Sequence, residues 1–319
     1  MKTRYDSAYH APVLVEEILA LFAGASRALD CTLGGGGHAA AMLDAGMDVT
    51  GIDRDPAAIA EASRRLQPAI ADGRFHAVRG NYADADDLLP PDVRFDAILL
   101  DLGVSSHQLD DERRGFSFRE GAPLGGAMEW GGEQATTDGV AQWHSAAHFL
   151  NEASVEELQS AFFDYADEPK AARLAAEVER RRERRPFAIS DDFVGAIRAV
   201  LGPRSGPSDF ARLFQGVRIA VNDELGGLER ALPALRDRLT TQGVLAVIAY
   251  HSGEDRLVKL AFREWASSCI CPPKQPVCTC RGRALGTLLT RKPITAGEHE
   301  LAHNVRARSA HLRAFRRED

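Results

Sequence analysis

The residues whose types and spacing indicate chemistry are three aspartates and one glycine-rich turn. Each of the aspartates lies at the end of an apolar run. The first run ends at Asp30 and is followed by four consecutive glycines, 34–37, and then by a helix-forming segment. Asp53 follows a second apolar run at 49–52, and Asp101 ends a third run at 95–101. Glycine permits positive φ and allows a ligand to approach the backbone closely, while the following helix offers unpaired N–H groups. The pattern is typical of a nucleotide-binding strand, turn and helix.

The two acids around the glycine turn favour one type of ligand. Asp30 precedes the turn, where a carboxylate can pair with an ammonium group, and Asp53 follows the next strand, where a carboxylate accepts hydrogen bonds from ribose hydroxyls. S-adenosylmethionine carries both groups. A nicotinamide cofactor, whose glycine fingerprint is loosely matched by Gly34, Gly36 and Ala39, is the first alternative. A turn that binds no ligand is the second.

The elements that must position these acids are parallel strands. The run that ends at Asp101 is apolar almost throughout, as expected of a central strand buried on both faces. Ligands of parallel sheets bind beyond the carboxyl ends of the strands, so Asp101 is expected in the same crevice as Asp30 and Asp53. Tyr82 follows a third predicted strand, where it would flank an adenine or simply cover the core. His251, after a fifth predicted strand at 243–250, is a further candidate for this crevice, and Ser252 with Asp255 forms a capping-box pattern.

The middle of the chain has a different pattern. Residues 105–139 are rich in glycine, serine and charged residues and are predicted to form a loop. Helical periodicity then dominates without a strand pattern: Ser154 and Glu157 form a capping-box pattern, and Ser190 is predicted to cap a helix that runs to Leu201. The sequence therefore predicts a core made of residues 1–109 and 207–319, interrupted by a helical insertion at 110–206 that recognises the substrate.

Composition narrows the class of protein. The chain has 319 residues and a net charge of −7, which disfavours a generic nucleic-acid binder. Two basic segments, 180–185 and 306–317, are nevertheless candidate phosphate contacts; a solvated helix face and a loose tail are the alternatives. No secretory signal and no apolar run of about 18 residues is recognisable, so a cytoplasmic protein without a membrane span is expected.

Four of the five cysteines are close together in the sequence. Cys269 and Cys271 form one Cys-x-Cys pair, and Cys278 and Cys280 form another. Four thiols at this range raise the hypothesis of a zinc site, with free thiols in a loop as the alternative. No metal ligand is assigned to the strand-end crevice.

These motifs together resemble a known family. The resemblance covers nearly the whole chain and depends on these segments: Asp-x-Thr-x-Gly-x-Gly-Gly-His at 30–38, Ile-Asp-Arg-Asp at 52–55, Leu-Leu-Asp-Leu-Gly-Val-Ser-Ser at 99–106, Arg-Gly-Phe-Ser-Phe at 114–118, Arg-Ile-Ala-Val-Asn-Asp-Glu-Leu at 218–225 and Arg-Ala-Arg-Ser-Ala at 306–310. In these segments the chain resembles the MraW/RsmH family, bacterial methyltransferases that act on cytosine N4 of 16S ribosomal RNA.

The resemblance implies a fold, an activity and a set of site residues. The implied fold is an α/β, Rossmann-like class I S-adenosylmethionine-dependent methyltransferase with an inserted helical domain. The implied substrate is 16S ribosomal RNA within the small ribosomal subunit. The cofactor contacts that match the family are Gly36, Gly37, His38, Asp53, Tyr82, Asp101 and Gln108. Asp101 is also the candidate catalytic residue, because a strand-end carboxylate can accept the N4 hydrogens.

Some segments depart from the family pattern. The family's Pro-Leu-Asp-Met-Arg-Met-Asp is here Pro-Leu-Gly-Gly-Ala-Met-Glu at 123–129, which removes an acid and an arginine where RNA contacts are expected. Two alternatives therefore stay open. One is a methyltransferase of the same fold with another substrate, and the other is a non-catalytic ribosome assembly factor that binds the methyl donor.

Overall fold

The computed structural model describes residues 4–5, 11–103, 118–125, 128, 143–272, 275 and 277–318. The chain divides into two compact units, the first formed by Met1–Ser105 with Leu225–Asp319 and the second by Ser106–Glu224. Among the described residues, no helix is both long enough and apolar enough to cross a membrane.

A seven-stranded mixed sheet forms the centre of the first unit. Its strands in chain order are β1 Arg27–Asp30, β2 Asp48–Asp53, β3 Phe75–Arg79, β4 Phe95–Asp101, β5 Leu239–Ala249, β6 Gly286–Leu288 and β7 His311–Arg317. The order across the sheet is β3-β2-β1-β4-β5-β7-β6. The first five strands of that order pair in parallel, and β7 is antiparallel to both of its neighbours. The predicted α/β, Rossmann-like fold class is confirmed.

Helices flank this sheet. Those of the first unit are α1 Val15–Leu21, α2 Gly37–Asp44, α3 Pro56–Arg65, α4 Gln67–Ala71, α5 Ala85–Leu88, α11 Glu224–Asp237, α12 Ser252–Trp265 and α13 Glu298–His303. The first residue of α11, Glu224, is the last residue of the second unit. The strand order reverses between β1 and β4, which is where open α/β sheets form a ligand crevice. Apolar side chains bury both faces of β4, including Ala97, Ile98 and Leu99, as its continuous apolar run predicts.

The C-terminal basic segment is a strand of this sheet. Leu312, Ala314 and Phe315 of β7 are buried, and β7 hydrogen-bonds to β5 on one side and β6 on the other. Arg313 is also buried and pairs with Asp255 of α12. The alternative of a loose tail is therefore wrong, and so is the prediction of a phosphate contact as far as Arg313 of the segment 306–317 is concerned. The sequence-based prediction considered the arginines of this segment and overlooked the apolar residues between them, which are the buried residues of the strand.

The second unit is helical in the part that the structure describes. Its helices are α6 Ala146–Glu152, α7 Val155–Phe163, α8 Ala171–Arg182, α9 Ser190–Leu201 and α10 Pro207–Asn222. The capping box predicted for Ser154 and Glu157 is confirmed: each side chain accepts the backbone N–H of the other residue. The helix predicted to end at Leu201 does end there, but its N-cap is Ile189, one residue before the predicted cap Ser190.

The second compact unit extends beyond the predicted insertion at both of its ends. The insertion was expected at 110–206, whereas the second compact unit is Ser106–Glu224 and so contains α10. Leu213 and Val217 of α10 are buried among the apolar residues of this unit. The predicted boundary assigns α10 to the sheet-containing core, because sequence spacing does not show which core the apolar face of a helix covers.

The basic segment at 180–185 is largely engaged within the second unit. Arg180 and Arg181 both pair with Glu177 one turn earlier, and Arg182 donates to the carbonyl oxygen of Ala153. The charges of Arg180 and Arg181 are therefore partly neutralised. An RNA contact by this segment stays a prediction.

Candidate active site

The carboxyl ends of three neighbouring parallel strands bring three aspartates together. Asp30 ends β1, and its register partners are Gly51 of β2 and Leu99 of β4. Asp53 and Asp101 end these two flanking strands, so all three carboxylates lie at one edge of the sheet. This is the arrangement that the three apolar runs predict.

Asp30 is the most unusual of the three acids. Its side chain is buried; Oδ1 accepts the backbone N–H of Thr32 at 3.2 Å, while Oδ2 is buried without a hydrogen-bond partner among the described residues. Burial raises the pKa of Asp30 to about 7, and the neighbouring carboxylates of Asp101 and Asp53 contribute to the increase. A buried, unpaired carboxylate oxygen beside two other acids is a strong site for a cation.

Asp53 holds the glycine turn in place. Its two carboxylate oxygens accept the backbone N–H groups of Gly34 at 2.8 Å and of Asp55 at 2.9 Å. Burial raises its pKa to about 6, although both hydrogen bonds oppose the increase. Each oxygen retains a further lone pair for a ligand hydroxyl.

The glycines of the turn are required for conformation and for packing. Gly36 has φ of 74° and is the N-cap of α2, a conformation that favours glycine. A Cβ at Gly37 would lie 3.0 Å from the Pro12 ring, so this glycine also allows close packing. The first N–H groups of α2 have no carbonyl partner within the helix, which makes this end of α2 suited to polar ligand atoms.

Asp101 lies between two polar side chains. The Tyr250 hydroxyl donates to Asp101 Oδ1 at 2.7 Å, and His38 Nδ1 lies 3.6 Å from Oδ2. His38 Nε2 lies 2.8 Å from the carbonyl oxygen of Val13, which can only accept, so Nε2 carries a hydrogen. The backbone N–H of Asp101 donates to the Thr32 hydroxyl at 2.7 Å. These contacts fix the orientation of the Asp101 carboxylate.

Tyr82 lies in the turn that follows β3. It begins a short 3₁₀ helix, Tyr82–Asp84, which the Asn81 side chain caps by accepting the N–H of Ala83. The Tyr82 ring is half-buried against the apolar cluster that contains Leu29 and Ile52. The preceding Gly80 donates its N–H to the carbonyl oxygen of Asp53, which places this turn beside the end of β2.

Comparison with known proteins identifies the family. The family model described as "MraW methylase family" matches residues 7–318. The chain belongs to the MraW methylase family. It is 62% identical over 309 residues to "Ribosomal RNA small subunit methyltransferase H" of Gemmatimonas aurantiaca, an alignment that covers 97% of this chain and 95% of the relative. Proteins of the same name from Heliobacterium mobile and Heliobacterium modesticaldum are 43% and 42% identical; each alignment covers 96% of this chain and 97% of the relative.

The structure places most of the residues that match the MraW methylase family at the sheet edge or the glycine turn. Gly36, Gly37, His38, Asp53 and Asp101 all lie there, and Tyr82 lies in the adjacent turn. Gln108 lies outside the described residues. The role of each as a cofactor contact stays a prediction.

One expectation at the end of β5 needs correction. The predicted capping box of Ser252 and Asp255 is wrong: His251 and Glu254 cap α12, because His251 Nδ1 accepts the Glu254 N–H and the Glu254 carboxylate accepts the N–H of His251. Asp255 is instead the partner of Arg313 on β7. Sequence spacing alone did not distinguish two pairs that differ by one residue.

Tyr250 is the site residue that sequence reasoning missed. It follows β5 directly, and β5 pairs with β4 so that Asp101 lies opposite Ile248. A polar aromatic residue at the end of a buried strand next to a candidate catalytic strand was the available signal. The predicted strand at 243–250 ends in Tyr250, whereas the residue predicted to line the crevice is the following His251.

Proposed function

We propose that this chain is an S-adenosylmethionine-dependent methyltransferase that modifies N4 of a cytosine in 16S ribosomal RNA of the small ribosomal subunit. The single observation that carries the donor assignment is the buried, unpaired oxygen of Asp30 beside Asp53 and Asp101. Membership of the MraW methylase family and the relatives named as ribosomal RNA small subunit methyltransferases support the activity and the substrate class.

The chemistry of the sheet edge fits the donor. Asp30 would pair with the ammonium group, Asp53 would accept hydrogen bonds from the ribose hydroxyls, and the N-terminal N–H groups of α2 would contact polar donor atoms. When bound, S-adenosylmethionine supplies an electrophilic methyl group on a positively charged sulfur. Three acids at one edge favour a ligand with this net positive charge.

Asp101 is the residue that handles the proton. The cytosine N4 lone pair is delocalised into the ring, so the amine must lose a proton as its bond to the methyl group forms. The Asp101 carboxylate accepts an N4 hydrogen bond and then the proton, and Tyr250 keeps the carboxylate in one orientation. Tyr250 is therefore a positioning residue.

The helical unit is the part that recognises RNA. Substrate selection needs contacts beyond the target base, because that base must leave its stack to reach a crevice of this type. Unit Ser106–Glu224 interrupts the sheet-containing unit directly after β4, the strand that carries Asp101. Because the proposed substrate is the small ribosomal subunit, the proposed activity implies a cytoplasmic protein.

A methyl-transfer assay on small subunits tests the proposal. The protein is incubated with isotopically labelled S-adenosylmethionine and with small subunits that lack the modification, and the labelled nucleoside is then identified and located. We expect label at N4 of one cytosine. Asp101→Asn should abolish transfer, because it removes the proton acceptor while nearly preserving size. Calorimetric titration with the donor is the parallel control.

Each alternative has its own outcome. Label in a different base or in a protein would favour a methyltransferase with another substrate. The departure of the segment 123–129 from the family pattern motivates that alternative. In this segment the Met128 N–H donates to the side chain of Asn222, which lies in a segment that matches the family. Donor binding without any transfer would favour a non-catalytic assembly factor.

A further inference from the structure

Four cysteine side chains meet in the loop between α12 and β6, in a region that the methyl-transfer site does not use. The Sγ–Sγ distances are 3.8 Å between Cys269 and Cys278, 3.9 Å between Cys271 and Cys278, 3.4 Å between Cys278 and Cys280, and 3.9 Å between Cys269 and Cys280. All four sulfur atoms lie within 4.8 Å of one another.

These distances describe a tetrahedron of the size that a metal ion requires. In a tetrahedral thiolate site with zinc–sulfur bonds of about 2.3 Å, neighbouring sulfurs are about 3.8 Å apart. The four distances given above are close to that value. They are much longer than the 2.05 Å of a disulfide, so the cluster is not two disulfides in this structure.

The backbone around the thiols supports anionic sulfur. The N–H of Ile270, which lies between two of the cysteines, donates to Cys280 Sγ at 3.4 Å. Such a hydrogen bond links the two halves of the cluster and favours a thiolate ligand. It also orients the loop so that both Cys-x-Cys pairs face the same point.

The loop needs a source of order other than an apolar core. Residues 266–285 contain no helix or strand among those that the structure describes, and Ile270 and Val277 are exposed. The base of the loop is closed by the Leu285 N–H, which donates to the Trp265 carbonyl oxygen at 2.8 Å, and by Arg281, which donates to the Ser267 carbonyl oxygen at 3.2 Å. Loops of this length without a core are commonly stabilised by a metal or by cross-links.

We propose that Cys269, Cys271, Cys278 and Cys280 bind one zinc ion, which stabilises the loop between α12 and β6. Four thiolates that fill the coordination sphere leave no position for water or substrate, so the site is structural. Its ligands lie in one short segment, and binding therefore cross-links the loop to itself. The zinc assignment does not depend on the identity of the methyl acceptor.

Metal content and cobalt substitution test this site. Full-length protein purified without chelator should contain one equivalent of zinc, held with a nanomolar or tighter dissociation constant. Addition of Co²⁺ to the metal-free protein should produce the thiolate-to-cobalt charge-transfer band and the intense visible bands of a tetrahedral site. Hydrogen exchange in peptides that cover 266–285 should be faster after zinc removal, while exchange in β4 should not change.

Cysteine variants provide the matched comparison. Cys278→Ser and Cys280→Ser should each lose the stoichiometric zinc and the tetrahedral cobalt spectrum. Cys31→Ala removes the buried cysteine outside the cluster and should retain both. Wild-type protein that is folded by circular dichroism, has four reactive thiols in the presence of zinc and shows no cobalt–thiolate band would overturn the proposal. Stoichiometric iron with a coloured native protein would overturn the choice of zinc.

Discussion

Asp30 combines a cost to stability with a proposed role in donor binding. Burial raises its pKa to about 7 from an ordinary value near 3.8, so the folded protein holds this proton more tightly than the unfolded chain does. The stability of the fold therefore falls as the pH rises between these two values, and the full cost is present above pH 7. Ligand cations that pair with Oδ2 would offset that cost.

Asp30→Asn should separate these two effects. At pH 8 the variant should be more stable by about 1–3 kcal/mol, because it no longer buries an unpaired charge. Donor affinity should fall about 10- to 100-fold with the loss of a charge-assisted hydrogen bond. Thermal unfolding and calorimetric titration at pH 6 and pH 8 measure both quantities.

The pH dependence of donor binding is the control for this prediction. Wild-type affinity should rise as the pH increases through about 7, because binding requires the ionised Asp30 side chain, whereas the asparagine variant should lack this dependence. A variant that loses stability at pH 8 and binds the donor normally would show that Asp30 serves only the fold.

Tyr250→Phe should affect the chemical step more than donor binding. The hydroxyl donates to Asp101 at 2.7 Å, and its loss should lower kcat about 10- to 100-fold because a hydrogen bond to a charged group contributes about 1.5–3 kcal/mol. Steady-state kinetics at saturating donor tests this.

The same variant has an internal check. Its donor dissociation constant should stay within about twofold of the wild-type value, because the donor contacts proposed here are made by other residues. A large increase in that constant with an unchanged kcat would instead assign Tyr250 to the donor site.

At the scale of elements, β7 shows how a charged segment can belong to a core. Arg313 Nε and Nη2 donate to the two carboxylate oxygens of Asp255 at 2.7 and 2.9 Å, and this pair joins β7 to α12. Burial alone would raise the pKa of Asp255, but the hydrogen bonds and charge of Arg313 lower it below the ordinary value. The pair therefore contributes stability above the ordinary pKa that is lost as the pH falls.

Arg313→Gln should lower the free energy of unfolding by about 2–4 kcal/mol at pH 7, because it leaves a partly buried carboxylate without its partner. Arg316→Gln is the matched control on the same strand. Arg316 is less buried, and its replacement should change stability by about 0.5 kcal/mol or less. Urea unfolding at pH 7 and at pH 3, below the ordinary pKa of Asp255, should show the difference between these variants narrowing in acid.

At the scale of the whole molecule, each compact unit has an apolar core of its own. Among the described residues, the cluster that contains Phe162, Phe193 and Leu213 is formed by the second unit alone. The described residues of the clusters on the two faces of the sheet all belong to the first unit. A unit with a separate core can fold separately.

Residues 106–224 expressed alone should therefore fold. We expect a helical circular dichroism spectrum and a cooperative thermal transition, since every described residue of the buried cluster lies within this segment. The full-length chain measured in parallel provides the reference for helix content. A non-cooperative transition with exposed apolar surface would show that this core forms only in the intact chain.

The sequence by itself determined the local features of this protein. Apolar runs specified β4 and the acids at three strand ends, glycine chemistry specified the turn before α2, and spacing specified the capping box at Ser154. Each of these features arises from interactions between residues that are close in the chain. The family motifs could be recognised in the sequence because each of them is also a short continuous segment.

Only the tertiary structure decided which distant groups meet. It showed that Arg313 pairs with Asp255, that Tyr250 donates to Asp101, and that α10 covers the core of the helical unit. It also brought two short Cys-x-Cys pairs into one tetrahedron. In a chain of this length, many residues could pair equally well with a given charge or pack equally well against a given apolar face. The choice among them depends on strand order and on the burial that the folded chain imposes.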